Sequence, residues 1–252
     1  MEHSVAVKRI GILGSRQLAC RIMEWISTQP DIDVVGCVVP QFEAWWQDDV
    51  GNTAQRLGFP LSSLEQIASK SPDVIFSINY WRLIPVDMIR STPGGIVNIH
   101  HSYDLRLRGR YSTSWAIIRA RKDDYWQHGT TLHYIDEELD RGQIIESRAC
   151  TIEPDDTAET LFARVEDLAF GLFRDRFWDI LEGNCETYRP PEPSFFYGCD
   201  SNANLEMSWD WSPEEVYDFV RAWTFKDRPR PYFTLQGRRL LVEFAGLPAG
   251  KE

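Results

Sequence analysis

Ile96-Val97-Asn98-Ile99-His100-His101-Ser102 is the stretch on which the reading of this chain turns. Apolar Ile96, Val97 and Ile99 mark the end of a buried strand, and the run breaks at once into the polar loop Leu105-Arg106-Leu107-Arg108-Gly109-Arg110. Residues two apart on a strand project to the same side, so Asn98 and His100 leave it together. An amide can donate to a developing oxyanion and an imidazole exchanges a proton near neutral pH, so the two can act on one atom. The plain alternative is that Asn98 satisfies backbone groups at a turn and His100 only packs.

Upstream, strands are predicted at Val7 to Leu13, Asp33 to Val39 and Val74 to Ile78, with amphipathic helices over Arg16 to Thr28, Phe42 to Leu57 and Leu64 to Ala68. Strands joined by helices of this length imply parallel, right-handed crossovers. Gly11 and Gly14 begin a dinucleotide-binding fingerprint, but Gln17 stands where its third glycine belongs, and a turn needing small residues accounts for both. Trp45 and Trp46 are assigned to core packing in preference to a pocket wall. The loop Asn79-Tyr80-Trp81-Arg82-Leu83-Ile84-Pro85 follows the third strand at its carboxyl end, where open parallel sheets place their ligands. Downstream come a helix from Ser112 to Arg121, the segment Lys122 to His128 with no assigned role, strands at Thr130 to Ile135 and Gln143 to Cys150, and a helix capped near Thr157 that stops at Gly183.

Between those last two strands runs Gly129-Thr130-Thr131-Leu132-His133-Tyr134-Ile135-Asp136-Glu137-Glu138-Leu139-Asp140-Arg141-Gly142-Gln143-Ile144-Ile145, a strand giving way to an acidic loop and then a second strand. Together with Asn98-x-His100-x-Ser102, this pattern resembles the formyltransferases that use 10-formyltetrahydrofolate. The resemblance is closest over residues 70 to 182. It implies a doubly wound, mostly parallel, Rossmann-like α/β sheet over residues 1–187, and it assigns the catalytic roles to Asn98, His100 and Asp140. His100 would take the proton of the attacking amine, Asn98 would donate to the oxyanion, and Asp140 would orient His100 and favour its charged form. Asp136 competes for the carboxylate role, and the Leu-Asp-x-Gly context selects Asp140. The loop with Leu83-Ile84-Pro85 would wall the folate pocket, so the cofactor-side residues are Trp81, Arg82, Leu83, Ile84, His133, Ile135 and Asp136. For His133 a satisfied core histidine remains an equal reading, and His101 is expected to be structural.

From Tyr188 the texture changes: Arg189-Pro190-Pro191-Glu192-Pro193 reads as an extended linker, and residues 188–252 as a small module with a short helix opened by Ser212-Pro213-Glu214-Glu215 and a hairpin turning at Gln236-Gly237. The tail looks too short for the extra barrel of the transfer-RNA branch of the family. Its Trp223-Thr224-Phe225-Lys226-Asp227-Arg228-Pro229 with a following hairpin resembles the sugar N-formyltransferases. That branch implies a dTDP-linked 4-amino-4,6-dideoxysugar as acceptor and a role in O-antigen or surface-polysaccharide synthesis; a 3-aminosugar or another nucleotide sugar is the alternative. Tyr80, Arg106, Arg108, Arg110, Tyr111 and Trp223 are the substrate-side candidates, the guanidinium forks suiting a pyrophosphate. Trp209, Trp211 and Trp223 either stack on a base or cement the module or a dimer interface.

Composition narrows the field further. The formal net charge is −11 over 252 residues with no basic block, which disfavours a nucleic-acid partner. No long apolar run or leader pattern occurs, so a cytoplasmic protein without membrane insertion is expected, as a homodimer. The five cysteines are scattered and odd in number, arguing against a disulfide framework or a structural zinc site. Clustered histidines at 100, 101, 128 and 133 keep a metal-dependent hydrolase as the rival reading, but no His-Glu-x-x-His or comparable ligand spacing occurs and no metal is expected.

Overall fold

In the computed structural model, which describes residues 7–40, 49–198, 204–226 and 228–245, Lys8–Gly14 forms the first strand, β1. Arg16–Ile26 (α1) follows and buries Leu18, Ala19, Ile22, Met23 and Ile26, a helical stripe that seats it on the sheet. Ile32–Val38 is β2, Val50–Arg56 is α2, and Leu64–Ser69 is α3, opened by a capping box between Ser63 and Gln66. The helix expected from Phe42 falls partly on residues 41–48, outside the described residues, as do Trp45 and Trp46. Val74–Ile78 (β3) is buried at every position, as a strand covered on both faces must be. Val86–Ser91 (α4) has Pro85 as its N-cap, and Ile96–His100 is β4.

Further along the chain lie Leu107–Gly109 (β5), Ser112–Asp123 (α5), Gln127–Tyr134 (β6), Ile144–Thr151 (β7) and Ala158–Glu182 (α6). The main sheet has the order β2-β1-β3-β4-β6-β7. Neighbours among β1 to β4 run parallel, and β6 runs antiparallel to β4. This is the doubly wound, mostly parallel sheet that the sequence predicts.

The chain divides into two compact units, one of residues 1–100, 131–147 and 169–190, the other of 101–130, 148–168 and 191–252. The division therefore differs from a single cut after residue 187, because β6, β7 and α6 each contribute residues to both units.

Within the first unit, alternate strand residues feed two cores. Ile10, Ile12, Val34, Val74, Phe76, Val97 and Ile99 pack with α1 and with Ala169, Leu172, Phe173 and Phe177 of α6. Leu13, Val35, Ile75 and Ile96 pack with Ile67 of α3 and Met88 of α4. Each fully buried Leu, Ile or Phe contributes about 1.5–3 kcal/mol. The alternation fixes the register, and it leaves Asn98 and His100 on the face of β4 that carries Ile96.

In the second unit, β5 pairs in parallel with Phe195–Tyr197 (β8). Pro213–Ala222 (α7) begins with a capping box between Ser212 and Glu215, as the sequence predicts. Arg121 of α5 binds Asp218 of α7, and Asp218 also accepts from fully buried Arg221, whose Nη1 donates to the carbonyls of Glu153 and Asp156. Tyr232–Leu235 (β9) and Arg238–Leu241 (β10) form the expected hairpin, with Gln236 and Gly237 both at positive φ as a tight primed turn requires. The Lys122 to His128 segment acquires a role: Asp123 accepts from both Arg106 and Arg119.

Candidate active site

Three segments of the first unit build the site. The β4–β6 ladder sets Asn98 opposite His133 and His100 opposite Thr131, so the polar residues of the two sequence motifs share one face. Asn98 Nδ2 lies 3.1 Å from His133 Nε2. His133 Nδ1 lies 2.9 Å from the carbonyl oxygen of Tyr134. The rings of His100 and His133 stand at right angles with centroids 6.4 Å apart.

Asp140 completes the group from the loop between β6 and β7. Its Oδ2 lies 3.9 Å from His100 Nδ1, an ion-pair distance longer than a hydrogen bond, and the side chains are only 11% and 10% exposed. Asp140 has φ 51°, a left-handed conformation that Asp tolerates. Gly142 explains the Asp-x-Gly spacing: a Cβ there would lie 1.7 Å from the Tyr134 carbonyl oxygen. Only glycine lets the loop lie that close to β6, which is what turns Asp140 toward His100.

The carbon of a carbonyl group bound beside these side chains would meet an amide donor and an imidazole held by a carboxylate. That set suits acyl or formyl transfer between an amine and a leaving nitrogen. His133 is a poor base: burial pushes its pKa down to about 4, an effect that the Asp140 carboxylate opposes and His100 reinforces. Its ring is 1% exposed and both nitrogens are engaged inside the protein.

The other cofactor-side candidates occupy the carboxyl end of β3 and the start of the acidic loop. Tyr80, Ile84 and Ile135 pack on the core beneath α3 and α4. Trp81 lies against Tyr80 with ring centroids 4.8 Å apart, Arg82 is exposed, and Leu83 is 78% exposed. Asp136 is exposed, and its carboxylate accepts from the Glu138 amide. Ser15 Oγ donates to the Asn79 carbonyl, tying the β1 loop to the β3 loop.

Arg106, Arg108, Arg110, Tyr111 and Trp223 lie in the second unit. Arg106 pairs with Asp123 at 3.1 Å and lies over the rings of Tyr125 and Phe195, so its charge is largely spent within the protein. Arg108 is half-buried and lies over Phe196, while Arg110 is exposed. Trp223, for which stacking on a base and packing of the module were the two readings, is buried among Tyr111, Trp115 and Phe219. Trp211 packs edge-on to Phe219, and Trp209 is stacked on Phe233 but remains exposed. His101 is buried against Phe162.

One residue escapes sequence reasoning. Arg228 lies over Tyr111 and Phe225, at 5.5 and 4.8 Å from the ring centroids, and no described carboxylate pairs with it. Burial pushes its pKa down, with only the Tyr111 hydroxyl opposing. In the sequence it is one of three basic residues, with Lys226 and Arg230, in an aromatic stretch, and nothing local sets it apart from a solvated arginine. Among the described residues no group of three or more His, Cys, Asp or Glu side chains is placed to hold a metal ion, and no helix is long and apolar enough to cross a membrane.

Sheet order and family together define an α/β group-transfer enzyme. Residues 49–175, about half of the chain, match the family described as formyl transferase. The chain belongs to that family. A 4-N formyltransferase from Francisella tularensis has the same fold, with a TM-score of 0.82 at 19% identity over 97% of this chain and 100% of that one. An N-formyltransferase from Helicobacter canadensis, in complex with folinic acid and dTDP-3-aminofucose, gives 0.77 at 18% identity over 92% and 86%. Methionyl-tRNA formyltransferase from Clostridium thermocellum gives 0.65 at 16% identity over 97% and 95%. At such identities the likeness is one of fold. The coverage of the last chain also shows that length alone does not separate the transfer-RNA branch from this protein.

Proposed function

We propose that this formyltransferase moves the formyl group of 10-formyltetrahydrofolate to the amino group of a nucleotide-linked aminosugar, a dTDP-linked 4-amino-4,6-dideoxysugar, in surface-polysaccharide synthesis. The observation that carries the reading is the meeting of Asn98 and His100, on one face of β4, with Asp140 from the loop between β6 and β7. The unprotonated sugar amine attacks the formyl carbon. His100 takes the proton that the amine loses, Asp140 stabilises the resulting imidazolium, and Asn98 donates to the oxygen as negative charge develops on it. Collapse of the tetrahedral intermediate breaks the bond to the folate nitrogen, which leaves with a proton returned through His100.

The β3 loop, with Trp81, Arg82, Leu83 and Ile84, together with Ile135 and Asp136, forms the folate side in this reading, at the strand end where such sheets bind ligands. Within the second unit, Arg228, Arg108 and Arg110 are the candidates for holding a pyrophosphate. Arg228 is a half-buried cation with no described carboxylate partner, and stacking on Tyr111 holds it in place. Likeness to the Helicobacter protein supports a nucleotide sugar, and likeness to the Francisella protein supports position 4. A cytoplasmic location and a homodimer belong to the same proposal; exposed Leu235, Leu240 and Leu241 on the hairpin support an interface there.

Incubation with 10-formyltetrahydrofolate and a panel of 3- and 4-aminosugar nucleotides, followed by mass spectrometry of the products, tests the reading. Formylation of a dTDP-4-aminosugar is the expected result. Preference for a 3-aminosugar would move the amine, and formylation of none of the panel would remove the sugar acceptor altogether.

A further inference from the structure

His133 is a buried titratable residue of the site for which the reaction has no use. Its Nδ1 lies 2.9 Å from the Tyr134 carbonyl oxygen, and a carbonyl oxygen only accepts, so Nδ1 carries the hydrogen. The ring is buried, and with its pKa near 4 it is neutral at neutral pH. A neutral imidazole with its hydrogen on Nδ1 has a bare lone pair on Nε2. Whatever faces that lone pair must donate.

What faces it is Asn98, opposite in the ladder and 3.1 Å away. The amide must therefore present its NH2 group to His133, because the reversed amide would set a carbonyl oxygen against a lone pair in a buried site. Of the two hydrogens on Asn98 Nδ2, one is given to His133, and the other is left directed away from it.

We infer that His133 is a positioning residue: it fixes which end of the Asn98 amide faces inward, so that the second N–H of Asn98 Nδ2 is aimed at the formyl oxygen. The inference rests on the formyl-transfer reading of the site and is indifferent to which amine accepts the group. It also explains why a histidine stands in the second motif although His100 is the base. Asparagine at position 133 would not be equivalent, since the acceptor must sit where Nε2 sits.

Two measurements on the full-length protein test it. The first is nitrogen NMR of the 15N-histidine-labelled wild type, with the His133 ring identified by its loss in His133→Gln. A neutral ring protonated on Nδ1 and bare on Nε2 at neutral pH is expected. A hydrogen on Nε2 would overturn the inference, and this readout needs no substrate. The second compares His133→Gln, whose side-chain oxygen can stand where Nε2 stood, with His133→Asn, whose shorter side chain cannot reach it. With the acceptor found active, His133→Asn is expected to lose about ten- to a hundred-fold in kcat with the KM of the formyl donor unchanged. His133→Gln should recover most of that loss, and Asn98→Ala added to His133→Asn should cost little more. Equal kcat in the two His133 variants, or a loss confined to the KM of the folate, would overturn the positioning role. Failure of every sugar acceptor would instead leave the ring spectra unaltered and count against the substrate alone.

Discussion

His100 Nδ1 and Asp140 Oδ2 stand 3.9 Å apart, the imidazole at the end of β4 and the carboxylate on a loop beyond β6. Neither side chain is more than 11% exposed, so the attraction between carboxylate and imidazolium is only weakly screened by solvent. The pair is held from both sides: Val97 and Ile99 anchor β4 in the core against α6, and the glycine two residues after Asp140 lets its loop lie on β6.

His100→Asn should remove the base and leave the pocket largely as it is. The expected loss in kcat is roughly 10²- to 10⁴-fold, with binding of the formyl donor little changed. Steady-state rates together with titration calorimetry of the folate check this. A variant turning over at the wild-type rate would take the base role away from His100.

Gly142→Ala places a methyl group against the Tyr134 carbonyl, and the loop must move to admit it. Overpacking of this kind costs about 1–3 kcal/mol. Because the same loop carries Asp140, kcat should fall by more than the loss of stability explains when assayed well below the midpoint of thermal unfolding. Urea denaturation and rate measurements on one preparation separate the two effects.

Burial lowers the pKa of His133 from the model-peptide range near 6.5 to about 4, so in the window between those values the unfolded chain binds a proton that the native ring refuses. Stability therefore rises with pH across this window: the penalty is absent above about 6.5 and grows as pH falls toward about 4, reaching on the order of 3 kcal/mol. His133→Gln should flatten that part of the profile. Denaturant melts at a series of pH values would show it, and an identical slope in the variant would assign the pH dependence to other groups.

Arg228→Gln should raise the KM of the nucleotide sugar by about 10- to 100-fold, the value of charge-assisted hydrogen bonds to phosphate, with much less effect on kcat. Arg228→Lys should recover part of the loss, since a point charge replaces the planar fork and its stacking on Tyr111. Initial rates against nucleotide-sugar concentration decide, and an unchanged KM would return Arg228 to a structural role.

Periodicity alone was enough for much of this molecule. The apolar runs at Ile10 to Leu13, Val74 to Ile78 and Ile96 to Ile99 read as buried strands, and the helices between them implied a parallel sheet. Asn98, His100 and Asp140 stand out as candidates because each belongs to a spaced pattern, and Gly142 because it closes the Leu-Asp-x-Gly pattern, whereas the Tyr134 carbonyl that leaves no room for a side chain there belongs to the tertiary structure. The hairpin at Gln236-Gly237 and the cap at Ser212 were legible for the same local reason: backbone conformation at a turn or helix end depends on a few adjacent residues.

What residues do to one another across the sheet was not contained in that pattern. Nothing local says that His133 pairs with Asn98, that Asp123 takes up the charge of Arg106, or that Trp223 is sealed among aromatic rings while Arg228 is left without a described carboxylate. Those relations depend on strand register and on packing between segments far apart along the chain. They were settled only when burial removed water as the alternative partner for each polar group.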